Sequence, residues 1–270
     1  FELNFRANII REKDLFVALF ANLAHNKNVI LKISESLKSY NESVDKHFKE
    51  NDESAPFLKY EEGGSLTSIF GMRSLGIDPA TGNEILLKRD GGQTQTWSSS
   101  EQVVLGNTEP DAQGTFGVNV TWKNWSLYAT FMYEFGGQRY NQTLVDKVEN
   151  ADMKYNVDRR IYTDRWRKPG DIALYKAISE EVYVSEKQQF ASEKTYPTSR
   201  FVQKRNELSL SNLSLYYDFY RHEFLKKCKI ERLRVSAYAN ELFVLSTIDV
   251  ERGTSYPFAR SFNFSLSVTF

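Results

Sequence analysis

The sequence has little cysteine, no surplus of either charge and no long apolar run. Its single cysteine, Cys228, excludes a disulfide framework within the chain and a cysteine metal cluster. The 35 Lys and Arg residues balance the 35 Asp and Glu residues, so the basic surplus of a nucleic-acid-binding surface is missing. No apolar run approaches the roughly 18 residues that a membrane-spanning helix requires. Membrane-spanning strands are not excluded, because each needs only about ten residues and half of them can be polar.

Few residues offer enzymatic chemistry. The histidines lie far apart in the sequence, and none has a second ligand at metal-binding spacing; they are His25, His47 and His222. Asp164 and Asp171 flank a basic turn that contains a tryptophan. A carboxylate pair for hydrolysis and a loop-folding ion pair are the alternatives there, and the ion pair is favoured. We therefore expect no catalytic residues, no metal ion, no cofactor and no enzyme activity.

The last ten residues alternate between large apolar side chains and small polar ones. The apolar set is Phe262, Phe264, Leu266, Val268 and Phe270. A period of two predicts a β-strand whose two faces meet different surroundings. A strand with lipid on one side and a wet lumen on the other has this pattern. A soluble sandwich strand with its phenylalanines in the core has it too, so this stretch alone leaves both architectures open.

Similar alternation recurs earlier in the chain. Two strands around the polar turn 11–14 form a predicted hairpin. The clearest hairpin covers residues 116–135, with 123–124 as its tight turn. It places Trp122 and Trp125 together at one end of an apolar band. An aromatic girdle at a membrane boundary and a plain cross-strand aromatic pair both explain that placement.

Three more strands are predicted near the C-terminus, at about 206–219, 230–243 and the terminal stretch. In the first, the apolar parity changes between Leu210 and Leu213, which predicts a bulge near Ser211–Asn212. In the second, arginines alternate with apolar residues and face the opposite way from them. Arginine faces lipid only at high cost but can line a wet lumen. The predicted lumen-facing residues are Arg232, Arg234, Tyr238 and Asn240.

Long polar stretches alternate with short turns. Residues 34–63 are interpreted as a loop with weak helical character near its middle, and 136–205 as a polar stretch without a sustained period. Residues 64–88 form either two wall strands or a hairpin inside an outer loop, with 78–82 as a proline–glycine turn. Long loops on one side and short turns on the other are typical of an outer-membrane barrel.

Several motifs occur in one order along nearly the whole chain. They are Gly76-Ile77-Asp78-Pro79-Ala80-Thr81-Gly82, Leu105-Gly106-Asn107-Thr108-Glu109-Pro110, Phe135-Gly136-Gly137, Asp164-Arg165-Trp166-Arg167-Lys168-Pro169-Gly170-Asp171, Ser199-Arg200-Phe201-Val202 and Asn240-Glu241-Leu242-Phe243. With them the chain resembles the C-terminal barrel region of SusC/RagA-type TonB-linked (TonB-dependent) outer-membrane transporters of Bacteroidetes. The chain departs from the family pattern in two places. Glu241 interrupts the Asn-Leu-Phe that is usual in the family, and residues 34–63 resemble an insertion relative to it.

The resemblance implies an all-β fold, with about eight or nine antiparallel strands of a transmembrane β-barrel of about 22 strands that has long extracellular loops. Residues 1–270 would be the C-terminal part, and the plug and N-terminal strands would lie outside this chain. The apolar residues 262–270 are similar to the family's barrel-assembly signal. Implied partners are a SusD-like surface lipoprotein, TonB through the missing N-terminal part, the remaining strands and plug, and outer-membrane lipid.

The predicted function is to supply wall and outer loops of an outer-membrane importer for oligosaccharides or oligopeptides. A soluble β-sandwich carbohydrate-binding module is the alternative, and a barrel enzyme is disfavoured because no catalytic set is found. Aromatic residues of the outer loops are candidates for ligand or lid contact, with loop packing as the other interpretation. They are Tyr162, Trp166, Tyr175, Tyr196 and Tyr256.

Overall fold

The computed structural model describes residues 1–51, 53–150, 158–178, 182–184, 187–189, 194–220, 222–248 and 260–270. The strands are β1 (Glu2–Arg11), β2 (Leu15–Ala24), β3 (Ser68–Gly71), β4 (Arg73–Ile77), β5 (Glu84–Leu87), β6 (Gln93–Thr94), β7 (Val103–Asn107), β8 (Ala112–Trp122), β9 (Trp125–Tyr140), β10 (Val182–Val184), β11 (Lys187–Gln189), β12 (Val202–Tyr220), β13 (Arg232–Asn240), β14 (Val244–Ser246) and β15 (Ser261–Thr269). The helices are α1 (Glu35–Glu50), α2 (Gln142–Leu144), α3 (Arg160–Thr163) and α4 (Glu223–Lys227). Shorter helical turns cover Ser99–Glu101, Val145–Glu149 and Ser199–Phe201.

The main element is one eight-stranded sheet, in the order β1-β2-β8-β9-β12-β13-β15, with β14 also paired to β12. All its pairings are antiparallel. The sheet does not close on itself, since β1 and β15 end the order. The predicted all-β architecture of about eight or nine antiparallel strands is confirmed by this sheet, which matches a portion of a barrel. Among the described helices, none is long and apolar enough to cross a membrane.

The two faces of this sheet differ in chemistry because the register places apolar residues of one strand opposite apolar residues of the next. On β15, Phe262, Phe264 and Leu266 lie opposite Ala239, Ala237 and Val235 of β13. Their side chains are uncovered, with Phe264 81% and Leu266 66% exposed. A sandwich strand buries such residues against a second sheet. The exposure therefore argues against the soluble sandwich alternative.

The predicted hairpins and bulge are present. β1 pairs with β2 around the turn at 11–14, and β8 pairs with β9 so that Trp122 lies opposite Trp125. Lys123 in the tight turn has φ +53°, the left-handed conformation that two-residue hairpin turns require. The β12–β9 register shifts between Leu210 and Asn212, which confirms the predicted bulge.

The predicted strand 230–243 is shorter than expected. β13 ends at Asn240, where Glu241 adopts φ +51°, and the chain resumes as β14. The backbone N–H of Glu241 donates to Ser211 O at 3.2 Å, so this break lies beside the bulge of the neighbouring strand. The extra residue in β12 is therefore matched by a kink in its partner.

The interpretation of residues 34–63 as a loop is wrong, because α1 is a helix of 16 residues. Ser34 caps it, since its hydroxyl accepts the Leu37 N–H at 3.3 Å. Val44 and Phe48 lie four residues apart and are both 4% exposed, so they form one buried stripe. The many charges that indicated a loop lie on the remaining, solvated faces of the helix.

The hairpin 64–88 belongs to the loops and not to the wall. β4 and β5 pair around the turn 78–82, but they form a separate three-stranded sheet with β6, while β3 pairs with β7. The turn 78–82 is therefore not one of the short turns of the main sheet, and a hairpin inside a loop is the correct alternative; that this loop is an outer one stays a prediction. We call these strands, α1 and the described residues between 141 and 201 the loop layer.

Candidate functional site

The polar face of the main sheet carries a carboxylate held by two arginines. Asp218 of β12 lies opposite Arg234 and two residue pairs away from Arg232, which is opposite Tyr220. Each guanidinium donates twice to the carboxylate, Arg232 at 2.9 and 3.0 Å and Arg234 at 2.8 and 2.7 Å. The Asp218 side chain is 9% exposed. Two cations on one anion leave one positive charge on this face.

Tyrosines continue this face across neighbouring strands. Tyr216 contacts Tyr128 and Tyr238 edge-on, with ring centroids 5.9 and 5.5 Å apart. Arg234 lies over the Tyr216 ring at 5.3 Å. Asn240 accepts a hydrogen bond from Asn212 at 3.0 Å. Arg232, Arg234, Tyr238 and Asn240 therefore share one polar face, and that this face lines a lumen stays a prediction.

The side chain of Arg200 connects several segments of the loop layer. Its guanidinium donates to both oxygens of Glu84, at 2.8 and 2.9 Å, and to Glu149 at 2.6 Å. A further donor reaches the Leu174 carbonyl at 2.7 Å. The side chains of Arg200, Glu84 and Glu149 are 12, 10 and 0% exposed. One residue thereby connects the β4–β5 hairpin, the turn after α2 and the 164–178 segment.

Burial and pairing act in opposite directions on these groups. Burial opposes ionisation of Glu84, but hydrogen bonds and attraction from Arg200 outweigh it and lower the pKa of Glu84. Burial likewise opposes the charged form of Arg200, and the carboxylates of Glu84 and Glu149 outweigh it and raise the pKa of Arg200. Glu84 and Arg200 are therefore held in charged forms that stabilise each other.

Arg165 is a second buried cation of the loop layer. It is 4% exposed and donates to the carbonyls of Val148, Glu149 and Lys176, the last two at 3.0 and 2.9 Å. The Val148 and Glu149 carbonyls lie at the C-terminal end of the helical turn Val145–Glu149, where a nearby positive charge is favourable. Within the motif 164–171, Arg165 therefore fixes the turn Val145–Glu149 and Lys176 in the loop layer.

A cavity of about 550 Å³ lies in the loop layer between α1, β5 and residues 194–198. Trp97 and Tyr196 stack in its wall with ring centroids 4.7 Å apart. The Phe48 ring of α1 also contacts Trp97, with ring centroids 5.0 Å apart. Three lysines also line the cavity: Lys49, Lys176 and Lys194. The described part of the chain thus offers a concave, charged site of the size that binds small molecules.

The predicted loop aromatics have different surroundings. Tyr196 lines the cavity, whereas Tyr175 is 6% exposed within the hydrophobic core of the loop layer. Trp166 donates from its indole N–H to Pro79 O at 2.9 Å. Tyr162 is 72% exposed, with the Arg167 guanidinium 4.8 Å from its ring centroid. Tyr256 lies outside the described residues, and a ligand or lid role for any of the five stays a prediction.

The other predicted groups are placed as follows. Asp171 accepts the backbone N–H groups of Arg167 and Lys168, each at 3.1 Å, so it folds its own turn. Asp164 stabilises the same loop through its backbone carbonyl, which accepts a hydrogen bond from the Leu174 N–H at 2.9 Å. The residues of the predicted assembly signal lie on and directly after β15, where Phe270 is 80% exposed. Their role in assembly stays a prediction.

Sequence reasoning missed three important side chains. Asp218 has the same parity as the predicted polar face, and two arginines on the next strand were a signal for a carboxylate partner. Arg200 belongs to a quoted motif, but its partner Glu84 is 116 residues away and no local pattern marks it. Trp97 lies in a polar stretch, and its contacts with Phe48 and Tyr196 and its indole hydrogen bond to Pro197 O at 3.0 Å come from distant segments.

The chain is similar to a TonB-dependent receptor and to the RagAB peptide transporter. No protein-family model matches it. It is 25% identical over 170 residues to TonB-dependent receptor P39 of Formosa agariphila, which covers 62% of this chain and 15% of that protein. The structure of the RagAB peptide transporter matches with a TM-score of 0.66 and 19% identity, over 92% of this chain and 25% of that one.

Two further RagAB structures match to the same extent. The open-open state of the peptide importer gives a TM-score of 0.65 and the closed-closed state 0.63, each over 92% of this chain. These likenesses establish the fold. The chain spans only 15% of the length of its curated relative. The curated likeness and the RagAB fold support the resemblance of the chain to part of a SusC/RagA-type TonB-dependent receptor.

Proposed function

We propose that the chain supplies part of the wall and outer loops of a TonB-dependent importer in the bacterial outer membrane. One observation supports this most: an open antiparallel sheet has an exposed apolar face and a polar face, and matches a RagAB structure over 92% of the chain. Lipid is the solvent that suits the first face, and a lumen suits the second. The open edges at β1 and β15 would pair with the remaining strands of the barrel.

The finer architecture is part of the same proposal. Residues 1–270 are the C-terminal part of a barrel of about 22 strands, and other segments of the receptor supply the plug and the remaining strands. The loop layer lies on the extracellular side, and the turns at 11–14 and 123–124 lie on the periplasmic side. The role is transport and not catalysis.

We also propose that the receptor works with a SusD-like surface lipoprotein and with TonB. Its ligand is an oligosaccharide or an oligopeptide that is too large for simple porins. The family resemblance supports the partners, and the peptide import by RagAB supports a ligand of this size class. The exposed Tyr162 and the cavity residue Tyr196 remain the proposed contacts of ligand or lid.

Purification of the full-length receptor from outer membranes tests this proposal. We expect a detergent-requiring protein whose gel migration changes on heating, with a lipoprotein and a glycan or peptides identified by mass spectrometry. The matched control is the same purification from a strain that lacks the receptor gene. A water-soluble receptor without lipoprotein or ligand would contradict the proposed function.

A further inference from the structure

We propose that Arg232 and Arg234 form a carboxylate-binding site on the polar face of the main sheet, and that an Asp or Glu side chain of the plug fills it. This inference rests on the proposed function, because that function assigns the polar face to a plugged lumen. It adds the point of this chain that the plug contacts and the chemistry of the contact. Three properties of the arginine pair support it: a surplus positive charge, unused donors and a rigid frame.

The arginine pair carries one positive charge more than its neighbours neutralise. Among the described residues, Asp218 is the only acid in an ion pair with Arg232 or Arg234, and the two guanidinium groups share it. On the flanking strand β15, Thr269 lies opposite Arg232 and Ser267 opposite Arg234, and neither is charged. One further carboxylate would therefore make the group electrically neutral.

Each guanidinium keeps donors that can hold a second anion. Arginine has five N–H donors, and Arg232 and Arg234 each use only Nε and Nη2 on Asp218, at 2.7 to 3.0 Å. Within the described part of the chain, neither Nη1 group donates a hydrogen bond. The two arginine side chains are 36 and 35% exposed, which leaves them open to a second anion. A carboxylate fits such donors, because its two oxygens accept two N–H groups at once.

Aromatic rings hold both guanidinium groups in place. The Arg232 guanidinium lies 5.3 Å from the centroid of the Tyr220 ring, and the Arg234 guanidinium lies 5.3 Å from that of Tyr216. Tyr216 in turn contacts Tyr238, with ring centroids 5.5 Å apart. A site that is fixed before binding avoids the entropic cost of ordering its own side chains.

The position of the pair on the sheet favours the plug as the source of the carboxylate. The Asp218 N–H donates to Asn124 O at 3.0 Å, so the pair lies beside the turn 123–124, which the proposed function places on the periplasmic side. A barrel of about 22 strands has a plugged lumen, and a ligand from outside reaches this end only past the plug. The chain spans 25% of the RagAB chain that it matches, so a receptor of that length has ample further sequence for a plug. A charge that the plug shields from water is costly unless it is paired, which favours an acidic plug residue.

Photo-crosslinking in the full-length receptor, in outer-membrane vesicles, identifies the occupant of the site. Benzoylphenylalanine is introduced at Ser267, which lies opposite Arg234 on the same face. Val268, on the apolar face, is the matched control position. We expect mass spectrometry to identify a plug peptide that contains Asp or Glu when the label is at position 267, and no plug peptide when it is at 268.

A double-mutant cycle tests the charge. Arg234→Gln should accelerate hydrogen exchange of the captured peptide about tenfold, and so should the neutral amide variant of the captured acid. Both substitutions together should accelerate it no more than either alone, because each removes the same ion pair. Arg234→Lys keeps the positive charge and should retain most of the protection.

Arg205→Gln is the matched control for the cycle. Arg205 is another arginine of the main sheet, but it has two acidic partners, Glu134 at 2.8 Å and Glu207 at 3.4 Å. It therefore has no surplus positive charge to offer, and its replacement should leave the exchange of the captured peptide unchanged. Heat-dependent gel migration of each variant shows that the barrel has folded.

Four outcomes would overturn the inference. In the first three, position 267 captures no plug peptide, the two substitutions act additively, or Arg205→Gln accelerates exchange as much as Arg234→Gln. In the fourth, Arg234→Gln lowers ligand uptake without changing the exchange of the plug, which would assign the carboxylate to the transported ligand. These outcomes are separate from a failure of the proposed function. A receptor that resides in the outer membrane with its lipoprotein, but whose plug does not contact the arginine pair, would refute this contact alone.

Discussion

The Arg200 guanidinium holds the Glu84 carboxylate through two hydrogen bonds of 2.8 and 2.9 Å, across 116 residues of sequence. The pair is buried and is extended by Glu149, whose side chain is fully buried. Charged groups of this kind stabilise a structure only while all partners are present. The loop layer therefore depends on Arg200 more than on any exposed ion pair.

Replacement of Arg200 by alanine should loosen the loop layer without unfolding the barrel wall. The change leaves the buried carboxylates of Glu84 and Glu149 without their guanidinium, at a cost of about 3 to 5 kcal/mol in local stability. Hydrogen exchange should accelerate in residues 73–87 and 145–149, while β8 and β9 keep their protection. Arg167→Ala is the control, because Arg167 is exposed. Equal exchange in both variants would contradict this role.

The loop layer should also weaken in acid. The folded-state pKa of Glu84 lies below its ordinary value of 4.5. The contribution of this carboxylate is therefore complete above about pH 4.5 and is lost as the pH falls through the lowered value. Proteolytic cleavage within the loop layer should increase below pH 4.5, and Glu84→Gln should reduce that increase. An identical pH profile in wild type and variant would show that another group titrates.

Replacement of Asp218 by asparagine should destabilise the wall by about 1 to 3 kcal/mol. Arg232 and Arg234 then face each other without the anion that binds both. Arg232→Gln should cost less, because Arg234 still pairs with the carboxylate. Urea titrations of the folded gel band in detergent give both free energies of unfolding. A larger loss in Arg232→Gln than in Asp218→Asn would contradict the arrangement.

A charged residue on the apolar face of β15 should destabilise the barrel. Phe264→Arg is expected to destabilise the inserted barrel by about 2 to 4 kcal/mol, since it places a cation in lipid. Ser265→Arg is the matched control on the adjacent residue of the opposite face, and we expect a smaller loss. The folded fraction in outer membranes, measured by heat-dependent migration, compares the two. Equal losses would mean that both faces meet the same surroundings.

The sequence predicted the wall well and the loop layer poorly, for physical reasons. Phe264 and Ser265 lie on opposite faces of one strand, and the different chemistry of the two faces gives a period of two that can be read from the sequence. The bulge at Ser211 was found because it shifts that period. α1 was missed because Val44 and Phe48 are its only buried side chains among many charges.

The rest of the loop layer has no local signal. Arg200 and Glu84 are brought together by the fold alone, and the cavity arises where five segments meet, at 48–49, 83–86, 95–99, 176 and 194–198. The break at Glu241 was missed as well. It follows from a bulge on the neighbouring strand β12, and the sequence of β13 itself shows no change of pattern there.

The most direct test of the account is the solvent at each face of β15. Single cysteines at positions 262–268, in a Cys228→Ser background of the full-length receptor, are labelled with a nitroxide in outer-membrane vesicles. The account predicts that contact with oxygen, which dissolves in lipid, is high at 262, 264, 266 and 268. Contact with a water-soluble nickel complex should be relatively higher at 263, 265 and 267. An oxygen-to-nickel ratio without a period of two would contradict the assignment of this sheet to a membrane-spanning wall.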